Sequence, residues 1–106
     1  MNLNNEYIKL QVWNKGIIVD GFDPAKYRKD IAGAWMAWAS YGDKSDYGWQ
    51  IDHIYPASKG GSDNLSNLQP LHWENNLAKG DTTISWGSVV TSEGNRNVKK
   101  MRYISI

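Results

Sequence analysis

The segment from Trp49 to Asp81 constrains the fold more than any other part of the chain. Its residues predict a strand over 49–54, then a polar loop rich in glycine, then a second strand over 68–71. A helix of about two turns is predicted over 72–79, where Gly80 would end it. Two strands and a helix connected over so short a stretch predict a compact strand–strand–helix unit.

Polar side chains that suit phosphodiester chemistry are concentrated in this unit. They are Asp52, His53, Asn67, Asn76 and Lys79. Counting from His53, Asn67 lies 14 residues on and Asn76 lies 23 residues on. Neighbouring side chains on a strand point to opposite faces. At a curved or bulged strand end, one of Asp52 and His53 can nevertheless face a metal while the other approaches the scissile phosphate from beside it. The set predicts a site for single-metal phosphodiester cleavage.

The order of these residues resembles a known motif. The chain contains D-H-I-x-P at Asp52 to Pro56, Gly60-Gly61, N-L-Q-x-L from Asn67, and N-x-x-K at Asn76 to Lys79. This series resembles the HNH endonucleases, the ββα-metal group that includes colicin nucleases, homing endonucleases and the HNH domain of RNA-guided nucleases. Arg28 to Gly33 resembles the segment before the motif in small bacterial and phage members. The resemblance implies a ββα-metal core.

The residues before the motif predict a hairpin and then a helix. Apolar and polar residues alternate over 8–12, and a turn signal at 14–16 precedes further β-branched residues, so a hairpin is predicted over 7–20. Asp23-Pro24 is a good helix start, and apolar residues recur at helical spacing after it, so a helix is predicted over 23–40. Its apolar stripe is expected to be core rather than a base-stacking platform. The stripe consists of Tyr27, Ile31, Trp35 and Trp38.

The rest of the chain predicts a small domain held by aromatic packing. Residues 82–90 and 98–106 predict a closing hairpin around Gly94. A chain of 106 residues makes one domain, 1–106, with the motif core at about 49–81. Six tryptophans, six tyrosines and no cysteine favour an aromatic core without disulfides. The predicted fold class is α+β, a ββα-metal (HNH) core with an added N-terminal hairpin and helix and a C-terminal hairpin.

The chemistry of phosphodiester hydrolysis assigns roles to three of the motif residues. The reaction needs a deprotonated water and positive charge near the developing negative charge. His53 is the candidate general base, because imidazole is substantially neutral near pH 7. Asp52 and Asn76 offer a carboxylate and a carbonyl oxygen, ligands that suit one hydrated Mg²⁺ or Mn²⁺ ion.

The resemblance implies further properties. Asn67 matches the family's structural asparagine, which braces the loop backbone and helps to orient the base, so its loss is expected to impair activity through geometry. Products with 5′-phosphate and 3′-hydroxyl ends, and tolerance of several divalent metals, are also implied. In zinc-stapled relatives two cysteines occupy the positions of His72 and Asn75, so no structural zinc is expected here.

Three other polar residues each have more than one expected role. His72 lies one turn before Asn76 and is expected to support the metal ligands, to contact phosphate or to face solvent. Lys79 is expected to contact phosphate or to stabilise the helix C-terminus through the backbone dipole. Lys59, beside the loop glycines, is a candidate phosphate contact.

The charge and the N-terminus bound the partners and the location. A formal charge of +1 is modest for a protein that binds a polyanion, so a local basic surface would be needed. The candidates for it are Lys59, Lys79, Lys99, Lys100 and Arg102. The N-terminus MNLNNEYIKL has no secretory signal pattern, and the longest mostly apolar run is about half of the roughly 20 residues a membrane span requires, so a cytoplasmic protein without a membrane segment is expected.

The predicted function is therefore a divalent-metal-dependent endonuclease acting on DNA, with RNA not excluded and a protein partner as a source of target specificity. One site per chain predicts nicking by a monomer. Two other classes remain open. A non-catalytic nucleic-acid-binding module on the same fold would fit the low charge, although Asp52, His53 and Asn76 are all present. A toxin-like domain held inactive by a partner would use exposed tryptophans as the contact.

Overall fold

The computed structural model describes residues 5–106. The first four residues, part of the segment considered for a secretory signal, lie outside the described residues. The helices and strands of the described part are α1 Glu6–Trp13, β1 Tyr27–Lys29, β2 Trp35–Ala37, β3 Trp49–His53, β4 Leu68–His72, α2 Trp73–Lys79, β5 Ser85–Gly87, β6 Val90–Glu93, β7 Arg96–Lys99 and β8 Tyr103–Ser105. Neither helix in residues 5–106 has the length and apolarity of a membrane span. The predicted α+β class is confirmed.

The strand–strand–helix unit has the order that the sequence predicts. Strands β3 and β4 pair antiparallel, with Trp49 opposite His72 and His53 opposite Leu68. Helix α2 follows β4 without a gap, and Gly80 ends it with a positive φ of 56°. Because α2 packs on both strands, polar residues of β3 and α2 face one another.

The N-terminal hairpin predicted over 7–20 is wrong, because helix α1 occupies most of its first half. The Oδ1 atom of Asn5 caps this helix by accepting hydrogen bonds from two backbone amides of the first turn, the shorter at 2.7 Å. Ile8 and Val12 lie four residues apart, so the same alternation that fits a strand also places them on one helix face. Val12 is fully buried, whereas Leu10 is exposed.

The helix predicted over 23–40 is also wrong, because this segment forms the antiparallel β1–β2 hairpin and a 3₁₀ turn. The chain reverses after Asp30, whose Oδ1 accepts hydrogen bonds from two backbone amides of the reversal, at 3.0 and 2.9 Å. Gly33 has a φ of +88°, and a Cβ there would lie 2.8 Å from the Thr91 hydroxyl oxygen. Glycine is therefore required at the reversal, and it breaks the helical pattern.

The C-terminal segment forms two nested pairs of strands. Strand β6 pairs with β7 in a hairpin whose turn contains Gly94, and outside it β5 pairs with β8. The predicted closing hairpin is confirmed, with an irregular step at 88–89 between the two pairs.

Aromatic packing holds the core, as predicted from the composition. Trp13 and Trp49 are almost completely buried, with ring centroids 5.0 Å apart, and Met36 and Leu68 belong to the same cluster. None of the six tryptophans is exposed, since Trp38 and Trp73 are half-buried and the others are buried. This removes the tryptophan contact surface on which the toxin-like alternative depended. Of the predicted stripe, Trp35 is buried, whereas Tyr27 and Ile31 are exposed.

Candidate functional site

A polar seam between β3 and α2 brings together several of the predicted site residues. Gln50 and Asp52 share one side of β3, because side chains alternate along a strand, and Asn76 and Lys79 share one face of α2. The Asn76 amide donates to the Gln50 side-chain oxygen at 2.6 Å. The Lys79 ammonium lies 3.3 Å from the Asp52 carboxylate. We call these four residues the β3–α2 seam.

Asp52 is a largely desolvated carboxylate with protein donors around it. Its side chain accepts a hydrogen bond from the Gln69 amide at 2.9 Å and forms the ion pair with Lys79. Burial raises the pKa of Asp52, while the Gln69 hydrogen bond and the Lys79 charge act in the opposite direction. The Lys79 ammonium therefore compensates the negative charge of a carboxylate that water solvates poorly.

Lys79 lies inside the seam and not on the surface, where the predicted basic patch would have placed it. Its residue is 2 % exposed, and its ammonium also donates to the backbone oxygen of His53 at 2.9 Å. Two other members of that patch are engaged within the protein, since Lys99 pairs with Glu74 and Arg102 donates to the backbone oxygen of Ala32. The patch is therefore not a continuous set of exposed cations.

His53 points away from the seam, as strand alternation requires, and meets a carboxylate from the following loop. Its Nε2 atom lies 2.7 Å from Oδ1 of Asp63. No group among residues 5–106 bonds Nδ1, and no side-chain nitrogen or oxygen atom in this part of the chain is both buried and unbonded, so Nδ1 reaches solvent. The hydrogen bond from His53 lowers the pKa of Asp63. The motif did not identify Asp63, whose signal in the sequence is only a carboxylate in the loop after the strand.

The side chain of Asn67 closes the loop between β3 and β4. Its Oδ1 accepts a hydrogen bond from the backbone amide of Tyr55 at 2.8 Å, and its Nδ2 donates to the backbone oxygens of Tyr55 and Ser62 at 3.0 and 2.8 Å. These bonds connect the two ends of the loop that carries Asp63. The contacts of Asn67 are therefore with the loop backbone.

Asn76 presents its amide oxygen to solvent. Its Nδ2 is occupied by Gln50, whereas Oδ1 has no partner among residues 5–106 and is not buried. A cleft of about 240 Å³ lies beside it. The cleft is lined by Lys44, Gln50, Trp73, Asn76, Leu77 and Gly80. One potential metal ligand thus opens directly onto a cleft that also contains an exposed lysine.

His72 is built into the fold and does not face the seam. Its Nδ1 atom accepts a hydrogen bond from the backbone amide of Glu74 at 3.1 Å and so caps α2. Its Nε2 atom donates to the backbone oxygen of Asp46 at 2.9 Å. With both ring nitrogens bonded and the residue 1 % exposed, His72 has no atom left for a metal or a phosphate.

Replacing His72 by asparagine is expected to weaken the acid sensitivity of the fold. Burial lowers the pKa of His72 from 6.5, so the unfolded chain takes up a proton before the folded chain does. The contribution of the neutral ring to the free energy of unfolding is complete above the pKa of the unfolded chain, and it decreases as the pH falls below that pKa. Asparagine also caps helices well but does not titrate. Urea unfolding between about pH 7 and pH 5 should show a smaller loss of unfolding free energy in His72→Asn than in the wild type; equal losses would contradict this account.

Lys59 lies in a 3₁₀ turn of the loop between β3 and β4. The turn covers Ala57–Lys59, and the side chain is exposed. Gly60 follows it with a φ of 96°. The structure leaves this cation at the surface, on the loop that also carries Asp63.

The donor set of the β3–α2 seam fits a hydrated hard cation. Among the described residues, no three histidine, aspartate or glutamate side chains form a cage for a metal. The seam supplies one carboxylate, Asp52, and one unbonded amide oxygen, from Asn76. Mg²⁺ typically binds through one or two carboxylates and keeps waters and phosphate oxygens as its other ligands. The residues present therefore fit Mg²⁺ or Mn²⁺.

Comparison with known proteins identifies the segment that contains this site. Residues 40–82 match the family model described as HNH endonuclease, and the match spans β3, β4, α2 and the loop between the strands. Searches of curated proteins and of solved structures returned no match. The match supports the family predicted from the motif, and that family points to endonuclease activity on nucleic acid. Over residues 40–82 the chain is similar to the HNH endonucleases.

Proposed function

We propose that this protein is a divalent-metal-dependent endonuclease that hydrolyses DNA phosphodiester bonds, with His53 as the general base. The observation that supports this most strongly is the β3–α2 seam, which places the Asp52 carboxylate and the Asn76 amide between the same strand and helix. His53 follows Asp52 on that strand, and its Nδ1 reaches solvent. The match of residues 40–82 to the HNH endonuclease model supports the same class of reaction.

In this proposal, each of three residues has one task. His53 accepts a proton from the attacking water. Asp52 and Asn76 hold one Mg²⁺ or Mn²⁺ ion through a carboxylate and an amide oxygen. When bound, the metal supplies positive charge that stabilises the negative charge developing on the phosphate and on the 3′ leaving oxygen.

The surrounding residues fix these groups in place. Lys79 orients Asp52 through the ion pair and holds the backbone of His53 through its other hydrogen bond. Asn67 shapes the loop through its bonds to Tyr55 and Ser62. Lys59, which is exposed on that loop, contacts a phosphate of the substrate. These positions follow the general pattern in which partners of a ligand or base set its orientation.

The cleft beside Asn76 is the proposed path of the nucleic-acid backbone. Lys44 is exposed there and offers a cation close to an amide of the proposed metal site. Contacts between lysine and phosphate position a protein on nucleic acid but carry no sequence information. We therefore propose low intrinsic sequence specificity, with a partner protein as the source of any defined target.

The ends of the products test the proposed reaction. Purified protein with Mn²⁺ is incubated with labelled duplex DNA and, separately, with RNA of the same sequence, and the products are treated with ligase or with phosphatase. Ligatable nicks with 5′-phosphate and 3′-hydroxyl ends in DNA are expected. Products that carry 3′-phosphate, or cleavage of RNA alone, would contradict the proposal.

A further inference from the structure

The contact between His53 and Asp63 has a consequence for the proposed reaction. The two side chains meet at 2.7 Å between Nε2 and Oδ1, and their exposed fractions are 18 % and 42 %. A carboxylate at that distance accepts the Nε2 proton, and a neutral imidazole carries only one ring proton. The other nitrogen, Nδ1, is then left with a free lone pair that can take a proton.

The loop that carries Asp63 is fixed on both sides of this residue. The backbone oxygen of Ser62 accepts a hydrogen bond from Asn67 at 2.8 Å. The backbone oxygen of Asn64 accepts a hydrogen bond from the backbone amide of Asn67, also at 2.8 Å. The position of Asp63 is therefore set by the loop and not by its contact with His53 alone.

A glycine lets this loop fold back towards β3. A Cβ at Gly61 would lie 1.8 Å from the backbone oxygen of Tyr55. Any residue other than glycine at this position would therefore force the backbone to move. The amide of Gly61 donates to the backbone oxygen of Pro56 at 2.9 Å and closes the turn. Because of this close crossing, Asp63 returns to the strand that carries His53.

We propose that Asp63 is the positioning residue of His53: its carboxylate accepts the Nε2 proton, fixes the ring and its tautomer, and leaves Nδ1 as the atom that takes the proton from water. This inference rests on the proposed function of His53 as general base. The proton of water moves to Nδ1, the Nε2 proton stays on the ring, and Asp63 remains a carboxylate that faces the resulting imidazolium. Asp63 itself does not touch the substrate.

The tautomer can be measured without any nuclease activity. The chain has two histidines, so ¹⁵N-detected spectra contain two rings, and His72 serves as an internal reference because Asp46 and Glu74 hold its two nitrogens. At a pH where both rings are neutral, His53 of the wild type should carry its proton on Nε2. In Asp63→Ala the His53 signals should move towards a mixture of tautomers, while those of His72 stay unchanged.

The kinetic test separates positioning from general loss of structure. Asp63→Ala is expected to lower kcat about 10- to 100-fold with little change in KM for DNA. Asp20→Ala, which removes another exposed carboxylate, should leave both parameters and both ring spectra unchanged. The His72 signals report whether each variant is folded.

Two results would overturn the proposal. One is a wild-type His53 ring with its proton on Nδ1, or with no preferred tautomer. The other is an Asp63→Ala variant with an unchanged tautomer and an unchanged kcat. A folded wild type that keeps the expected tautomer but does not cleave nucleic acid would instead contradict the proposed function, so the two failures can be told apart.

Discussion

Replacing His53 by alanine is expected to lower the rate of DNA cleavage about 10²- to 10⁴-fold, the usual contribution of a general base. The substitution removes the ring that lies 2.7 Å from Asp63 but keeps the backbone oxygen that accepts the Lys79 hydrogen bond. The ring is partly exposed and outside the main core cluster, so the variant should fold. Single-turnover cleavage of a labelled duplex, with enzyme in excess, measures the chemical step.

The second histidine provides the matched control. His72→Asn changes the only other imidazole of the chain, and that ring caps α2 instead of facing solvent. At a temperature where it is folded, this variant should cleave at close to the wild-type rate. A His53→Ala variant that cleaves as fast as the wild type would show that His53 is not the base.

The second large effect is expected at Asp30, a buried carboxylate that joins three parts of the chain. It is 1 % exposed and accepts hydrogen bonds from two backbone amides of its own turn, as well as from the backbone amide of His72 and the side-chain amide of Asn75, each at 3.0 Å. Asn75 in turn bonds the backbone of Val90 through both of its side-chain atoms. The β1–β2 hairpin, helix α2 and the C-terminal hairpin therefore meet at one polar network.

Asp30→Asn is expected to destabilise the fold by about 2 to 6 kcal/mol. The reason is that the NH₂ group of asparagine would replace an oxygen that accepts hydrogen bonds, and would face N–H donors with which it cannot bond. The size of the side chain hardly changes, so the effect reports the lost acceptor and the lost charge and not a change in packing volume. Burial raises the pKa of Asp30, and the hydrogen bonds from Asn75 and His72 act in the opposite direction. The four donors therefore offset part of the free energy that burying the charge costs. Thermal unfolding should show a midpoint lower by about 10 °C or more.

An exposed aspartate is the control for this substitution. Asp20 lies at the surface, and Asp20→Asn should change the unfolding midpoint by no more than the few tenths of a kcal/mol typical of surface sites. An Asp30→Asn variant as stable as Asp20→Asn would mean that the network does not hold these elements together.

The ββα unit could be predicted because its signals are local. The strand at 49–54 and the helix at 72–79 each carry their own pattern, and Gly80 marks the helix end within the same segment. The motif spacing then placed Asp52 and Asn76 on facing elements, and the structure brings both into the β3–α2 seam.

The flanking elements could not be predicted because distant residues decide them. The alternation at 8–12 fits a strand and a helix equally, and Val12 and Trp13 pack in the core with Leu68, which is distant in the sequence. The apolar spacing over 23–40 fits a helix, but Asp30 takes its partners from positions 42 and 45 residues away, and Gly33 packs against Thr91. Such contacts leave no periodic trace in the sequence.

The same reason explains which site residues were missed. Asp63 becomes the partner of His53 only after the loop folds back at Gly61 and Asn67 closes it. His72 shares a helical face with Asn76 by sequence spacing, yet its ring turns to Glu74 and Asp46. His72 is the N-cap residue of α2, and the direction of an N-cap side chain depends on its capping hydrogen bond. Sequence spacing alone does not predict that direction.

Relaxation of a supercoiled plasmid tests whether this protein is a metal-dependent nuclease that uses His53 and Asn76. Wild type, His53→Ala and Asn76→Ala are compared in Mg²⁺ and in Mn²⁺, and a parallel wild-type reaction contains EDTA. We expect the wild type to convert the plasmid to the nicked form, and we expect no conversion by either variant or in the presence of EDTA. A folded wild type that does not cut in either metal, or one that cuts equally well with EDTA, would contradict a metal-dependent nuclease that uses His53 and Asn76.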